Sequence, residues 1–195
     1  MSSGAAFRAR RLYFLLALGV LVLDQVTKLL AHELLRGRGA VEVVPDFFNL
    51  WYSRNPGGLF GYFRDWGDPW RSLLLTVFPM AAILLIGGFL IKSHEEDRKT
   101  LFGLGLILGG AAGNLIDRLF RGEVIDFLDV YAAPGRIADR LVGWFGTAHW
   151  PTFNFADSAI VIGTGLLLIN VFRPQRQTSD DVAIGSRAAD RRESL

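Results

Sequence analysis

Residues 100–120, TLFGLGLILGGAAGNLIDRLF, hold no charge until Asp117 and Arg118. A bilayer core of roughly 30 Å needs about 20 such residues in a helix. A soluble helix of that length would carry a polar stripe, so the stretch predicts a membrane span. Three further windows have the same character. Leu12–Ala31 is broken only by Asp24 and Lys28, Ser72–Ile91 carries no charge, and Phe153–Phe172 carries only Asp157. Pro79, inside the second window, is tolerated in membrane helices. The first window is long, contains Asp24-Gln25 and lacks a clean small-x-small site after it, so it reads as a retained span rather than a cleaved leader. The expectation is an all-α membrane protein with four transmembrane helices.

Composition agrees. The 195 residues are 51% hydrophobic and only 21% charged, with mean hydropathy +0.31, which is too apolar for an ordinary soluble domain. The chain has no cysteine, which excludes disulfides, thiolate metal sites and a cysteine nucleophile. Three scattered histidines, His32, His94 and His149, argue against a histidine-ligated metal or a Ser-His-Asp triad. No basic stripe with interleaved aromatics is present, so no nucleic-acid partner is expected. No cofactor or metal is expected, and a monomer is the expected state.

Lys and Arg set the orientation. Segments 1–11, 92–99 and 173–195 hold 11 in 42 residues, whereas 36–71 and 121–152 hold 8 in 68, so the first set is assigned to the cytoplasm. Both termini then lie inside. The expected domain is 1–173, with outer loops 36–71 and 121–152, followed by a disordered cytoplasmic tail over 174–195. In the first loop, 41–44 and 47–52 are β-prone and Asn55-Pro56-Gly57-Gly58 is a turn signal, which predicts a small β-rich element on the outer surface. In the second loop, Ile137, Leu141, Trp144 and Phe145 share one helical face opposite Arg136, Asp139 and Arg140. That pattern predicts a short interfacial helix.

An Asp at mid-span costs about 2.5–3.5 kcal/mol on insertion scales, so intramembrane acids point to function. Asp117 ends the third, outward span and Asp157 begins the fourth, inward one, which puts both at one depth near the outer face. Asp24 lies slightly deeper on the same side. Gly105, Gly109, Gly113 and Asp117 recur every four residues, a spacing that lets helices approach and turns Asp117 into the bundle. Asn114/Asp117 and Asn154/Asp157 repeat an i, i+3 relation. Two close carboxylates share one proton, so one can activate water while the other protonates a substrate carbonyl. Blander readings stand beside this one. Asp117 with Arg118 fits a snorkelling pair, Asp157 a first-turn acid, and Asp24 with Lys28 an i, i+4 ion pair. Asp126 and Asp129 read as structural acids of the outer loop.

Five segments resemble the lipoprotein signal peptidase (signal peptidase II) family of membrane aspartyl peptidases. Residues 24–28 (DQVTK) resemble its D-Q-x-[ST]-K, 55–61 (NPGGLFG) its N-x-G-x-x-F-G, and 109–118 (GGAAGNLIDR) its G-G-A-x-G-N-x-x-D-R. Residues 124–127 (VIDF) resemble V-x-D-F, and 153–158 (FNFADS) resemble F-N-x-A-D-S. The resemblance runs over roughly 12–172. It implies Asp117 and Asp157 as the catalytic pair. Asp24, Lys28, Asn55, Gly57, Gly61, Asn114, Arg118, Asp126 and Asn154 are implied as the supporting and substrate-binding set. It also implies prolipoprotein substrates cleaved just before a diacylglyceryl-modified lipobox cysteine, contact with membrane lipid, binding of globomycin-type inhibitors, and a bacterial inner-membrane location with the site at the extracytoplasmic face. Two departures are visible: a longer stretch between Asp126 and Asn154, and Leu59 where a smaller residue is common. The rival class is a small proton- or ion-coupled carrier, which would hold its acids nearer the midplane.

Overall fold

The computed structural model describes residues 3–56, 70, 73–92 and 97–172. Gly57, Leu59, Gly61 and the tail over 174–195, named above, lie outside them. Helix α1 is Ser3–Leu35. Helix α2 starts as a π-helical turn, Leu73–Val77, and continues as Phe78–Lys92. The widening falls beside Pro79, which has no N–H to offer the turn before it. Helix α3 is Arg98–Arg121, α4 is Arg136–Phe145 and α5 is Phe155–Val171.

Three helical segments, Arg10–Leu35, Leu73–Lys92 and Arg98–Arg121, are long and apolar enough to cross a membrane. The fourth expected span is apolar but shorter, at 17 residues, about 26 Å of helix. Its expected first residues go elsewhere. Phe153 joins the sheet, exchanging backbone hydrogen bonds with Leu128, and Asn154 becomes the N-cap. Along α1 the leucines and valines at 12, 15, 18, 22, 23, 26, 29 and 30 are exposed, as expected of a surface solvated by lipid.

Glycines bring the helices together on two faces of α3. Cβ atoms at Gly105 and Gly109 would meet the backbone oxygens of Tyr13 and Ala17 on α1. Cβ atoms at Gly103 and Gly110 would meet those of Gly163 and Ala156 on α5. The sequence pattern exposed the first stripe and hid the second. At the N-terminal ends of α1 and α3, Tyr13, Ala17, Leu90, Leu101 and Leu108 form a buried cluster joining α1, α2 and α3. Arg10, assigned by charge density to the cytoplasmic flank, is buried there and donates to the Leu90 carbonyl (3.2 Å) at the end of α2.

At the other end sits a three-stranded antiparallel sheet, β1 (Val41–Val44), β2 (Phe48–Asn55) and β3 (Val124–Val130), in that order. The first two strands match the expected β-prone segments. The third was not anticipated, because two aspartates in a short apolar run look like loop. Its register pairs Ser53 with Asp126 and Asn55 with Val124. Ala31 and Leu35 of α1 bury against Phe127, which ties the sheet to the helix ends. The expected amphipathic helix is present as α4, with Ile137 and Trp144 exposed on it and Ala138 buried.

A Cβ at Gly110 would lie 2.5 Å from the Ala156 oxygen and 2.9 Å from Ile160 Cγ1, whereas one at Gly87 meets nothing within 4 Å. Gly110→Ala is expected to lower stability by about 1–3 kcal/mol, and Gly87→Ala to leave it unchanged. Thermal unfolding in detergent measures both.

Candidate functional site

The site lies where the C-terminal ends of α1 and α3 meet the start of α5, beneath β3. Helix α3 stops at Gly122, whose left-handed conformation (φ 78°) turns the chain directly into β3. Asp126 is thereby brought above helix residues seven to twelve positions earlier in the chain.

A fully buried charge cluster forms its floor. Lys28, with no exposed surface, places its ammonium 2.8 Å from Asp24 Oδ2, 2.8 Å from Asp117 Oδ2 and 2.9 Å from Asn114 Oδ1. Three N–H groups thus meet three acceptors. Asp24 Oδ1 accepts the Ala156 backbone N–H (3.0 Å), which anchors the first turn of α5. Asp117 also accepts from Arg121, from Gln25 (3.2 Å) and from the Ile125 backbone N–H (3.3 Å). Gln25 in turn accepts from Arg121 (2.9 Å) and donates to the Gly113 carbonyl (3.1 Å). Gly113 has no alternative here, because a Cβ would strike the Asp24 carboxylate. Removing one member of so dry a cluster strands the others without partners.

Above this floor stand the second pair of acids and the asparagines that hold them. Asn154 is the N-cap of α5, with its Oδ1 accepting the Asp157 N–H (3.0 Å) and its own N–H donating to Asp157 Oδ2 (3.2 Å), a reciprocal capping box. The same side chain donates through Nδ2 to Asp126 Oδ1 (2.7 Å). Asn154 therefore holds both Asp126 and Asp157. Asn114 donates to Asp157 Oδ1 (2.8 Å), and Asn55, at the end of β2, donates to Asp126 Oδ2 (2.9 Å). Arg118, half-buried, donates weakly to the Asn114 carbonyl (3.4 Å), and its charge interacts with Asp157, Asp126 and Asp117 in that order of strength.

The structure gives Asp117 and Asp157, the pair implied by the sequence motifs, different partners. Asp117 is the ion-pair partner of Lys28 and Arg121, and the carboxylate that shares Asn154 with Asp157 is Asp126. The Asp126 carboxyl, 1% exposed, is pushed up to about 7, first by burial and then by the negative charge of Asp157, against the pull of the Asn55 and Asn154 donors. Asp24, Lys28, Asn55, Asn114, Arg118 and Asn154 all fall within the assembly. Gln25 and Arg121 belong to it as well and were missed. The first was hidden inside a motif, and the second has its partner on the preceding turn. Asp129, the other loop acid, faces elsewhere: it is buried against Asn49 (3.1 Å) and His149 (2.9 Å), and it clamps the segment after α4 to the sheet.

The family model described as Signal peptidase (SPase) II matches residues 16–173. A lipoprotein signal peptidase of Solibacter usitatus is 40% identical over 161 residues, 83% of this chain and 90% of that protein. One of Syntrophus aciditrophicus is 40% identical over 167 residues, 85% of this chain and 96% of the other. A solved structure of a bacterial membrane enzyme superposes with a TM-score of 0.68 at 26% identity, covering 86% of this chain and 94% of that one. A second such structure gives 0.65 at 27%, covering 84% and 94%.

Asp117→Leu, which strips a fully buried acceptor from two cations, is expected to cost about 3–5 kcal/mol of stability. Asp157→Asn, at a half-buried cap, is expected to cost about 1 kcal/mol or less. Thermal unfolding of the two variants side by side measures the difference.

Proposed function

The chain belongs to the signal peptidase II family, and from that premise we propose that it is an aspartic endopeptidase with Asp126 and Asp157 as its working pair. It is a multi-pass membrane hydrolase of lipoprotein processing. Its substrates are prolipoproteins, cut just before the lipidated cysteine. The chain crosses the bacterial inner membrane four times with both termini inside, α5 completing the crossing and α4 lying in the outer interface. The site then opens at the extracytoplasmic face, where a cysteine-linked diacylglyceryl group would sit at the headgroup boundary and where a globomycin-type inhibitor would compete. A monomer contains every residue required.

One observation carries the chemistry: a single side chain, Asn154, holds two carboxyl groups, and burial pushes one of them, Asp126, up to about 7. Close acids whose environments separate their protonation are suited to divide the roles of base and acid. The ionised member takes a proton from water as the oxygen adds to the scissile carbonyl carbon. The protonated member gives its proton to the carbonyl oxygen, forming a gem-diol. In the second half, the member now protonated delivers its proton to the departing amine as the C–N bond breaks. The other takes back the proton of a gem-diol hydroxyl, which regenerates the starting state. Lys28 and Arg121 already neutralise Asp117, which supports leaving it out of this cycle.

Cleavage of a diacylglyceryl-modified precursor by purified protein in detergent tests the assignment. Asp126→Asn and Asp157→Asn are each expected to lower kcat by about 10²–10⁴-fold while remaining folded. Full cleavage by Asp126→Asn, together with an inactive but stably folded Asp117→Asn, would return the pairing to Asp117 and Asp157.

The pH dependence follows from the raised Asp126 carboxyl. Below about 7 Asp126 holds its proton; above it Asp126 ionises and the general acid is lost. The kcat/KM profile is therefore expected to fall on an alkaline limb near pH 7. The Asn55 donor favours the charged form of Asp126, so Asn55→Ala is expected to move that limb to higher pH.

A further inference from the structure

Lys28 has no direct contact with either member of the proposed pair, yet it is one residue removed from Asp157. Its ammonium donates to Asn114 Oδ1 (2.9 Å), and the other end of that amide donates from Nδ2 to Asp157 Oδ1 (2.8 Å). An asparagine amide can present either end to a neighbour. An ammonium offers only N–H groups, so the Asn114 atom facing Lys28 must be the oxygen. Asn154 Nδ2 donates to the same oxygen (3.2 Å), so two donors enforce one orientation. The NH2 end is then committed to Asp157. Turning the amide over would put an acceptor against a carboxylate and a donor against an ammonium.

Building on the Asp126–Asp157 reading, we propose that Lys28 is a positioning residue that, through Asn114, makes Asp157 the ionised base and leaves the shared proton on Asp126. Three further features agree. Asp157 Oδ2 accepts the Asn154 backbone N–H at the positive end of the α5 dipole. Arg118 interacts more strongly with Asp157 than with Asp126. Asp126 is the more deeply buried of the two. Asp24 and Asp117 take the direct ion pairs of Lys28, and its contact toward Asp157 passes through the fixed direction of one amide. That also explains why the cation is held on three sides: a lysine free to swing would let the amide turn over.

The test is a double-mutant cycle on purified enzyme with lipid-modified precursor, each variant first checked for folding by thermal unfolding. Lys28→Gln, whose amide offers an acceptor as well as donors, and Asn114→Leu are each expected to lower kcat about ten-fold or more with KM within about two-fold. The double variant is expected to be no slower than Asn114→Leu alone, because Lys28 acts through that side chain. If Lys28→Gln does not fold, Lys28→Gln/Asp24→Asn removes the charge as a pair and takes its place in the cycle. Losses that multiply in the double variant, a loss confined to KM, or wild-type kcat in Asn114→Leu would overturn the relay. Cleavage at wild-type rate by Asp126→Asn and Asp157→Asn would instead remove the dyad on which it rests.

Discussion

The fold depends on one ammonium group. Lys28 sits where α1, α3 and the start of α5 converge, with no exposed surface and three acceptors for its three N–H groups. Burying an ion costs several kcal/mol even after relaxation, and only close, complete pairing returns that energy. Completeness requires the helices to approach closely. The glycines of α3 permit the approach, and at Gly113 a side chain would collide with the Asp24 carboxylate itself. The acid that pairs with Lys28 on its own helix also caps α5 through the Ala156 N–H, so one cluster sets the spacing of three helices.

Four acids lie in this small region, and their surroundings separate them into two kinds. Asp24 and Asp117 pair directly with cations. Asp126 and Asp157 face asparagines, which orient a carboxyl group without cancelling its charge. Among the described residues neither of those two makes a direct ion pair, and like charges held close favour sharing of a proton. Asparagine suits this task because each amide offers both a donor and an acceptor. Asn154 caps a helix, donates to one acid and accepts from the backbone of the other.

The outer face adds a second level of support. The sheet rests its apolar side on the end of α1 through Phe127 and Leu35, while the neighbouring Asp126 joins the polar assembly. This is the ordinary alternation of a strand, which here separates the apolar packing against α1 from the polar assembly. The buried Asp129 and His149 hold the segment that follows α4 against the same sheet, so the amphipathic helix is tied to the strand that carries Asp126.

Much of the architecture could be read from residue order. Uncharged runs of about 20 residues have few alternatives to a membrane helix, and the β-prone and amphipathic loop segments appear near the expected positions. The Gly105, Gly109, Gly113 stripe announced a close helix contact. Periodicity along a helix reports which residues share a face, but not which cation waits across the interface. Lys28 lies 89 residues from Asp117 in sequence and 2.8 Å from it in space. Asp126 looked like a loop acid because its strand exists only by pairing with β2, a partner some 70 residues earlier. Short-range pattern was sufficient to find the acids. The choice of which acid is neutralised by a neighbour and which is left to hold a proton belongs to tertiary structure, because electrostatic energy depends on distance through space and on burial, neither of which is written in local sequence.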